Sequence, residues 1–261
     1  MLGVVGCEED SDPTSTGLFN FDTDNPGDND FSGIDWAVVT SSYFELKQET
    51  DNLVYIVPMD DSIVDGVYPY VSNITLTIDN AVFNPTIMEI DGIYLPIWYV
   101  EILITEGAEF EFQLDITEIN NTVHNYTANL TTVHSTNTFS FPANYFEGET
   151  LETSWTLDAS NQFQVASAYS EDYSTIFGSD DSYETEISNS LRSFAFPANC
   201  VDRFSDYTDY EFSVDQYNQA KNGGFLALST STDYKYYYSN KNQPMSKEAH
   251  AIRLLKTLGL R

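Results

Sequence analysis

The segment FSFPANYFEGETLETSWTLDASNQFQVASAYSE, residues 139–171, predicts three consecutive β-strands and decides the fold. In its centre the side chains alternate between a mainly apolar side and a polar side: Leu151, Thr153, Trp155 and Leu157 against Glu152, Ser154 and Thr156. A period of two residues is typical of a strand with one buried face. Pro142 suits a strand end or a sheet edge, because it has no N–H to donate to a central ladder. We therefore expect Trp155 to be buried between two layers of strands.

Further short alternating segments continue on both sides, for example at 74–78, 109–116 and 207–217. Several such strands separated by turn residues are typical of β-sandwiches, and a chain of 261 residues can hold two sandwiches of roughly 100 residues each. The sequence predicts an all-β chain with one sandwich at 34–137 and a second at 138–238.

Two features of the second predicted sandwich resemble immunoglobulin-like and fibronectin type III modules. Trp155 stands on its second strand, and a tyrosine-rich strand at 207–217 takes the place of the family's tyrosine-bearing sixth strand. The resemblance implies two consecutive Ig/fibronectin III-like β-sandwiches and a spacer, adhesion or ligand-display role rather than catalysis. The sequence Phe-x-Phe-Pro-Ala-Asn occurs at 139–144 and again at 194–199. It indicates either two strand exits built alike within one domain or a true repeat.

The charge balance is strongly acidic, since 41 Asp and Glu against 10 Lys and Arg give a formal net charge of −31. No Lys or Arg occurs between Lys47 and Arg192. Phosphate groups would be repelled, so we exclude nucleic acid as a partner. The excess acid favours either solubility in a salty medium that screens self-repulsion or a requirement for divalent cations.

The first seven residues end in Val4-Val5-Gly6-Cys7, which resembles the lipobox of a bacterial lipoprotein signal. The resemblance implies removal of residues 1–6, lipid on Cys7 and anchoring to a membrane. Two or more acyl chains, at about 0.8 kcal/mol per buried methylene, anchor a soluble domain stably. The alternative is an ordinary N-terminus with an isolated cysteine. The earlier part of such a signal is not in the sequence, so we expect the natural chain to start upstream of Met1.

An acidic run, Glu8 to Asp10, follows the cysteine and resembles the surface-export signals of Bacteroidota lipoproteins. It implies an outer-membrane location at the cell surface; the alternative is a solvated linker. Residues 8–33 as a whole are rich in Asp, Ser, Thr, Gly and Pro, which predicts a flexible tether between the anchor and the first sandwich.

Four carboxylates in the tether resemble a calcium loop of the EF-hand or thrombospondin type-3 kind: Asp22, Asp24, Asp28 and Asp30. Calcium takes six to eight hard oxygen ligands, often at a sharp turn. Pro26 replaces one expected acidic ligand, and Gly33 stands where the twelfth-position Glu would be. The alternative is an acidic linker without bound metal, and no other cofactor is expected.

The last segment, 239–261, differs from the β modules. Ser246 to Leu258 has a capping serine and good helix formers, with Ile252 and Leu255 on one side. The segment is basic. Three interpretations are open: a helix that docks on the acidic body, a flexible tail, or an amphipathic segment that faces the membrane.

Residues with catalytic potential do not form a recognisable pattern. His124, His134 and His250 have no zinc-type spacing with cysteine, and phosphate-loop, nucleophile-elbow and His-Glu-x-x-His motifs are absent from the sequence. Glu109 and Glu111 share one side of a strand and indicate a solvated face. Trp155 and Trp98 are expected in cores, Trp36 is undecided, and Cys200 is expected to be a buried, unreactive thiol.

These observations predict a lipid-anchored, monomeric, non-enzymatic surface protein that binds, adheres or assembles through a protein or glycan ligand. The alternative is a carbohydrate-binding accessory lipoprotein of a glycan-uptake system, which exposed coplanar aromatics would favour. A hydrolase that uses surface carboxylates is a third reading.

Overall fold

The computed structural model describes residues 33–45, 48–59, 71–90, 93–172, 180–204 and 208–237, which contain fifteen β-strands and no helix. In chain order they are β1 (Trp36–Glu45), β2 (Gln48–Pro58), β3 (Val71–Ile78), β4 (Ala81–Phe83), β5 (Thr86–Ile90), β6 (Ile93–Glu101), β7 (Glu109–Glu118), β8 (Val123–Thr131), β9 (Thr138–Ser140), β10 (Leu151–Thr156), β11 (Phe163–Asp172), β12 (Asp180–Ile187), β13 (Ser193–Phe196), β14 (Thr208–Asn222) and β15 (Phe225–Tyr237). The all-β prediction is confirmed. The segment 239–261 lies outside the described residues, as does nearly all of the tether.

Three sheets organise these strands. The large sheet has the order β12-β11-β14-β15-β1-β2-β6-β5, the first small sheet β4-β3-β7-β8, and the second small sheet β13-β10-β9. In the large sheet β1 and β15 run parallel, and all other neighbours pair antiparallel. Each small sheet packs on part of the large sheet, so that the strands form β-sandwich layers as the sequence predicts.

The second small sheet encloses Trp155 as the alternation predicts. Leu151, Thr153 and Trp155 are buried, and the residues between them are exposed. The Trp155 ring stacks on Phe139 with 5.8 Å between ring centroids and packs against β11 and β14 of the large sheet. Burying a tryptophan of this size is one of the largest single apolar contributions that a core residue makes.

The two copies of Phe-x-Phe-Pro-Ala-Asn occupy the two edges of this second small sheet. β9 and β13 pair with β10 from opposite sides, and each is followed by its proline. A proline at an edge costs no ladder hydrogen bond. The structure thus agrees with two similar strand exits within one domain.

The first small sheet covers the other part of the large sheet. Its inner side chains, such as Leu76, Phe112 and Leu130, form one core with Trp36 and Val38 of β1. Trp36 is 3% exposed and its ring lies 5.8 Å from that of the half-buried Trp98. All three tryptophans therefore belong to cores.

The chain crosses between the two sandwiches through residues 132–137, and this crossing is held by hydrogen bonds to β15. The Val133 N–H donates to Ser229 Oγ at 3.0 Å, and Thr136 Oγ1 donates to Asp233 Oδ2 at 2.6 Å. Buried hydrogen bonds of this kind fix the position of the crossing on β15, because breaking one leaves a buried donor or acceptor without a partner.

A buried chain of side-chain amides continues from the crossing to Trp155. Asn161 Oδ1 accepts from the His134 N–H, and its Nδ2 donates to the His134 carbonyl and to Gln216 Oε1. Gln164 Oε1 accepts from Gln216 Nε2 at 2.9 Å and from Trp155 Nε1 at 3.1 Å. These hydrogen bonds connect the crossing to the core that contains Trp155.

The strands of the two predicted modules meet in one sheet. β1 to β8 lie in the predicted first module and β9 to β15 in the second, and β1 pairs with β15 over ten register positions, from Trp36 opposite Phe225 to Glu45 opposite Tyr234. The division between 137 and 138 stays a prediction, because the two groups of strands share this continuous sheet.

Candidate functional site

The predicted site residues of the N-terminal segment lie outside the described residues. These are the lipidation residue Cys7 and the calcium candidates Asp22, Asp24, Asp28 and Asp30. Both assignments stay predictions. Within the described ranges, no group of three or more His, Cys, Asp or Glu side chains is arranged to hold a metal ion.

The histidines and the cysteine lie in separate environments. His124 Nε2 is 2.8 Å from Glu118 Oε1 on the surface, and this hydrogen bond lowers the pKa of Glu118. The His134 ring packs against the backbone of Gly107, and Cys200 is half-buried in the second sandwich. The two described histidines are not brought together by the fold.

The outward side of the first small sheet is mainly polar, and we call it the polar face. Its polar members include these exposed or half-exposed residues of β3, β7 and β8: Asn73, Thr75, Thr77, Glu111, Gln113, Asp115, Thr117, Asn125, Thr127 and Asn129. Two exposed valines lie at its margins, Val82 beside Thr77 and Val123 beside Thr117. They alternate with the core residues of the same strands, which explains why they share one side. Glu111 is on this face, and it is solvated as the sequence predicts.

Strand pairing arranges the polar face in rows. Thr77, Gln113 and Thr127 lie side by side across three strands, and Thr75 and Asp115 belong to the next row. Gln113 Nε2 donates to both carboxylate oxygens of Asp115, at 3.2 and 3.0 Å. Hydroxyl, amide and carboxylate groups at strand spacing therefore offer donors and acceptors in a regular two-dimensional array.

A second polar group lies inside the protein, around Asp215 on β14. Asp215 is 2% exposed, and its oxygens accept from Thr232 Oγ1 at 2.5 Å, Ser213 Oγ at 3.1 Å and Ser167 Oγ at 3.2 Å. Burial raises the pKa of Asp215 to about 7, the Glu184 carboxylate adds to the rise, and the three hydroxyls oppose it. A carboxyl group with a pKa near 7 can act as a general base only if a substrate reaches it. The cleft formed by residues such as Thr40, Glu106 and Thr132 does not include Asp215 among its lining residues.

Sequence reasoning missed both polar groups, although each has a signal. The polar run at 229–233 interrupts the apolar alternation of β15, which indicates buried hydrogen-bonded side chains rather than a solvated strand. Asn161 resembles a turn residue in the sequence, because it follows Asp158-Ala159-Ser160, whereas its side chain is buried in the amide network. In the sequence, the only signal of the polar face is the set of polar residues that alternate with the core residues of β3, β7 and β8.

Comparison with known proteins finds no matching family model and no matching curated protein. Solved structures with local similarity include dimeric latent PorU from Porphyromonas gingivalis, at 11% identity, covering 74% of this chain and 19% of that one, with a TM-score of 0.21. The chicken CNTN1 FN1-FN3 domains match at 9% identity over 80% of this chain and 69% of that one, with a TM-score of 0.22. A Corynebacterium diphtheriae protein described as membrane-anchored matches at 8% identity over 80% of this chain and 60% of that one, with a TM-score of 0.25. At such TM-scores, no functional conclusion follows from these three similarities.

The described ranges also contain no helix that is long and apolar enough to cross a membrane.

Proposed function

We propose that this protein is a lipid-anchored, non-enzymatic protein of the outer cell surface that binds a ligand or neighbouring molecule through the polar face of its first small sheet. The observation that carries the proposal is the polar face itself: three paired strands whose outward residues are nearly all polar and exposed or half-exposed. A surface of this kind is suited to hydrogen-bonded recognition on a rigid scaffold.

The position of the polar face relative to the tether supports display. The N-terminal segment leads into β1, which lies in the large sheet, whereas the polar face belongs to the opposite layer, roughly 10 Å away. Lipid on Cys7 and the flexible 8–33 tether would leave the polar face accessible, because the chain enters the large sheet and not this layer. The buried location of Asp215 supports a structural rather than a catalytic role for that carboxylate.

The anchor is tested by joining residues 7–261 to the export signal of an established lipoprotein in a host that lipidates such proteins, together with Cys7→Ser. We expect the unmodified chain in the membrane fraction and accessible to added protease on intact cells, and Cys7→Ser in the soluble fraction. Equal membrane association of the two would refute lipid anchoring.

The polar face is tested in cells that display the chain, by measuring their adhesion to each other and to surfaces coated with a panel of polysaccharides. Thr127→Arg places a long cation in the middle row of the polar face. Ser154→Arg is the matched control, because Ser154 is exposed on the outward side of the second small sheet. We expect Thr127→Arg to reduce adhesion at least several-fold and Ser154→Arg to leave it unchanged. Equal adhesion of both variants and the parent would remove the polar face from the proposal.

A glycan is the second candidate ligand, and the row structure of the polar face favours it. Sugar hydroxyls both donate and accept, as do the hydroxyl, amide and carboxylate groups of these rows. The tryptophans do not offer a platform for stacking on sugar rings, because all three pack in the cores. Retention on one class of immobilised polysaccharide, lost in Thr127→Arg, would select the glycan; adhesion only between displaying cells would select assembly.

A further inference from the structure

One face of the large sheet has no described strand layer over it, and we call it the outer face. Along β15, Phe225 and Ala227 point into the core shared with the first small sheet, so Leu226 and Leu228 point to the opposite side. Alternation along each strand and the register between strands show which other residues lie on the same side as Leu226 and Leu228. The apolar part contains Ala37, Val39, Tyr55, Val57, Val165, Tyr217, Leu226 and Leu228, and the acidic part contains Glu171, Glu184, Glu186, Asp209, Glu211 and Asp215.

The apolar part of the outer face is excluded from solvent. Tyr55, Val57, Leu226 and Leu228 are 0% exposed, and Tyr217 is 3% exposed. Both small sheets pack on the other side, so no strand layer in the described ranges accounts for this burial. Apolar side chains on this side need a covering segment to be removed from solvent to this extent.

The acidic part lies where β15 ends. Glu211 is opposite Tyr236 in the pairing of β14 with β15, and Asp209 is opposite Glu171 in the pairing of β14 with β11. The chain therefore leaves the sheet after Tyr237 beside this group of carboxylates. A segment that starts there meets negative charge first and the apolar part next.

The 24 residues that follow have the complementary chemistry. Residues 238–261 carry five basic residues and one acidic residue, whereas residues 1–32 carry eight acidic and no basic residues. A helix over 246–258 would be about 20 Å long and would span about four strands. Ile252 and Leu255 would share its apolar side.

We propose that residues 238–261 fold back on the outer face, where 246–258 form an amphipathic helix with apolar side chains over Tyr55, Leu226 and Leu228 and lysines beside the carboxylates of β12 and β14. This commits to one of the three readings of the segment. The acidic N-terminal segment and a second copy of the chain are worse occupants, because each would bring like charge to the acidic part.

The first test cross-links the native full-length chain with a carbodiimide, which joins lysine amines to nearby carboxylates, and maps the products by mass spectrometry. The proposal predicts intramolecular links from Lys247 or Lys256 to Glu184, Glu186 or Glu211. Links from these lysines only to residues 8–33, only to the first small sheet, or only between molecules would overturn it.

The second test measures hydroxyl-radical labelling of side chains in full-length variants. Leu255→Glu places charge on the apolar side of the segment, and Thr257→Glu is the matched control on its other side. We expect Leu255→Glu to increase labelling of Tyr55 and Tyr217 at least several-fold with Trp155 unchanged, and Thr257→Glu to change neither. Unchanged labelling of both tyrosines in Leu255→Glu would contradict the proposal; if Trp155 also becomes labelled, the cross-links decide.

Discussion

Replacing Asp215 by Asn removes one buried ionisable group and keeps its shape. The three hydroxyls of Thr232, Ser213 and Ser167 surround the carboxylate at 2.5–3.2 Å, and they can rotate to serve an amide. Among the carboxylates on the same side of the sheet, Glu184 raises the pKa of Asp215 further and so disfavours its ionisation. We therefore expect the variant to fold and to lose one specific dependence on pH.

The magnitude follows from the two pKa values. Burial raises the pKa of Asp215 from 3.8 to about 7 in the folded state. Between these values the folded state binds more protons than the unfolded state, so the free energy of unfolding falls as pH rises. The total loss is on the order of 4 kcal/mol, complete above pH 7. Asp215→Asn should match the parent near pH 4 and exceed it progressively towards pH 8.

Urea denaturation at pH 4.5, 6 and 8 measures this difference without adding salt. Self-repulsion of the acidic chain changes with pH in both proteins, so the difference between them isolates Asp215. Glu152→Gln is the matched control, because Glu152 is exposed on β10 and should show no pH-dependent difference from the parent. If the curves of Asp215→Asn and the parent stay parallel from pH 4.5 to 8, the buried-carboxylate reasoning is refuted.

Three further outcomes are expected. Trp155→Phe should lower the free energy of unfolding by about 1–3 kcal/mol through a lost indole hydrogen bond and unfilled volume, and an unchanged urea midpoint would contradict its central packing. Gly107→Ala should destabilise more than Gly223→Ala, since both have positive φ but only a methyl at 107 would overlap the His134 ring; equal melting temperatures would be the contrary result. If residues 22–30 bind calcium, millimolar calcium should raise the melting temperature of the full chain, and no shift on chelation would count against the site.

The alternation of β10 was enough to place Trp155, because a buried strand face has a local period that tertiary contacts reinforce. The same reasoning found β7 and its solvated glutamates. It could not show that β1 pairs with β15, because parallel pairing between strands 189 residues apart leaves no local pattern.

The interior polar groups were hidden for a different physical reason. Serines, threonines and amides such as Gln164 and Gln216 look like surface residues in a sequence. In the folded state, hydrogen bonds to their partners offset the free-energy cost of burying them. The polar face could be predicted as solvated strand sides, but its rows depend on the register of β3, β7 and β8.

The pairing of β1 with β15 joins the two groups of strands in one continuous sheet, and a disulfide across these two strands tests this pairing most directly. Thr40 and Ser229 are register partners, and both line the same small pocket. Adjacent strands lie about 4.8 Å apart, within the range that a disulfide spans. With both native cysteines replaced by serine, Thr40→Cys/Ser229→Cys should oxidise rapidly in the folded monomer, and Thr40→Cys/Ser231→Cys, about 7 Å out of register, should not. Failure of the matched pair to close, or equal closure of both pairs, would contradict the shared sheet.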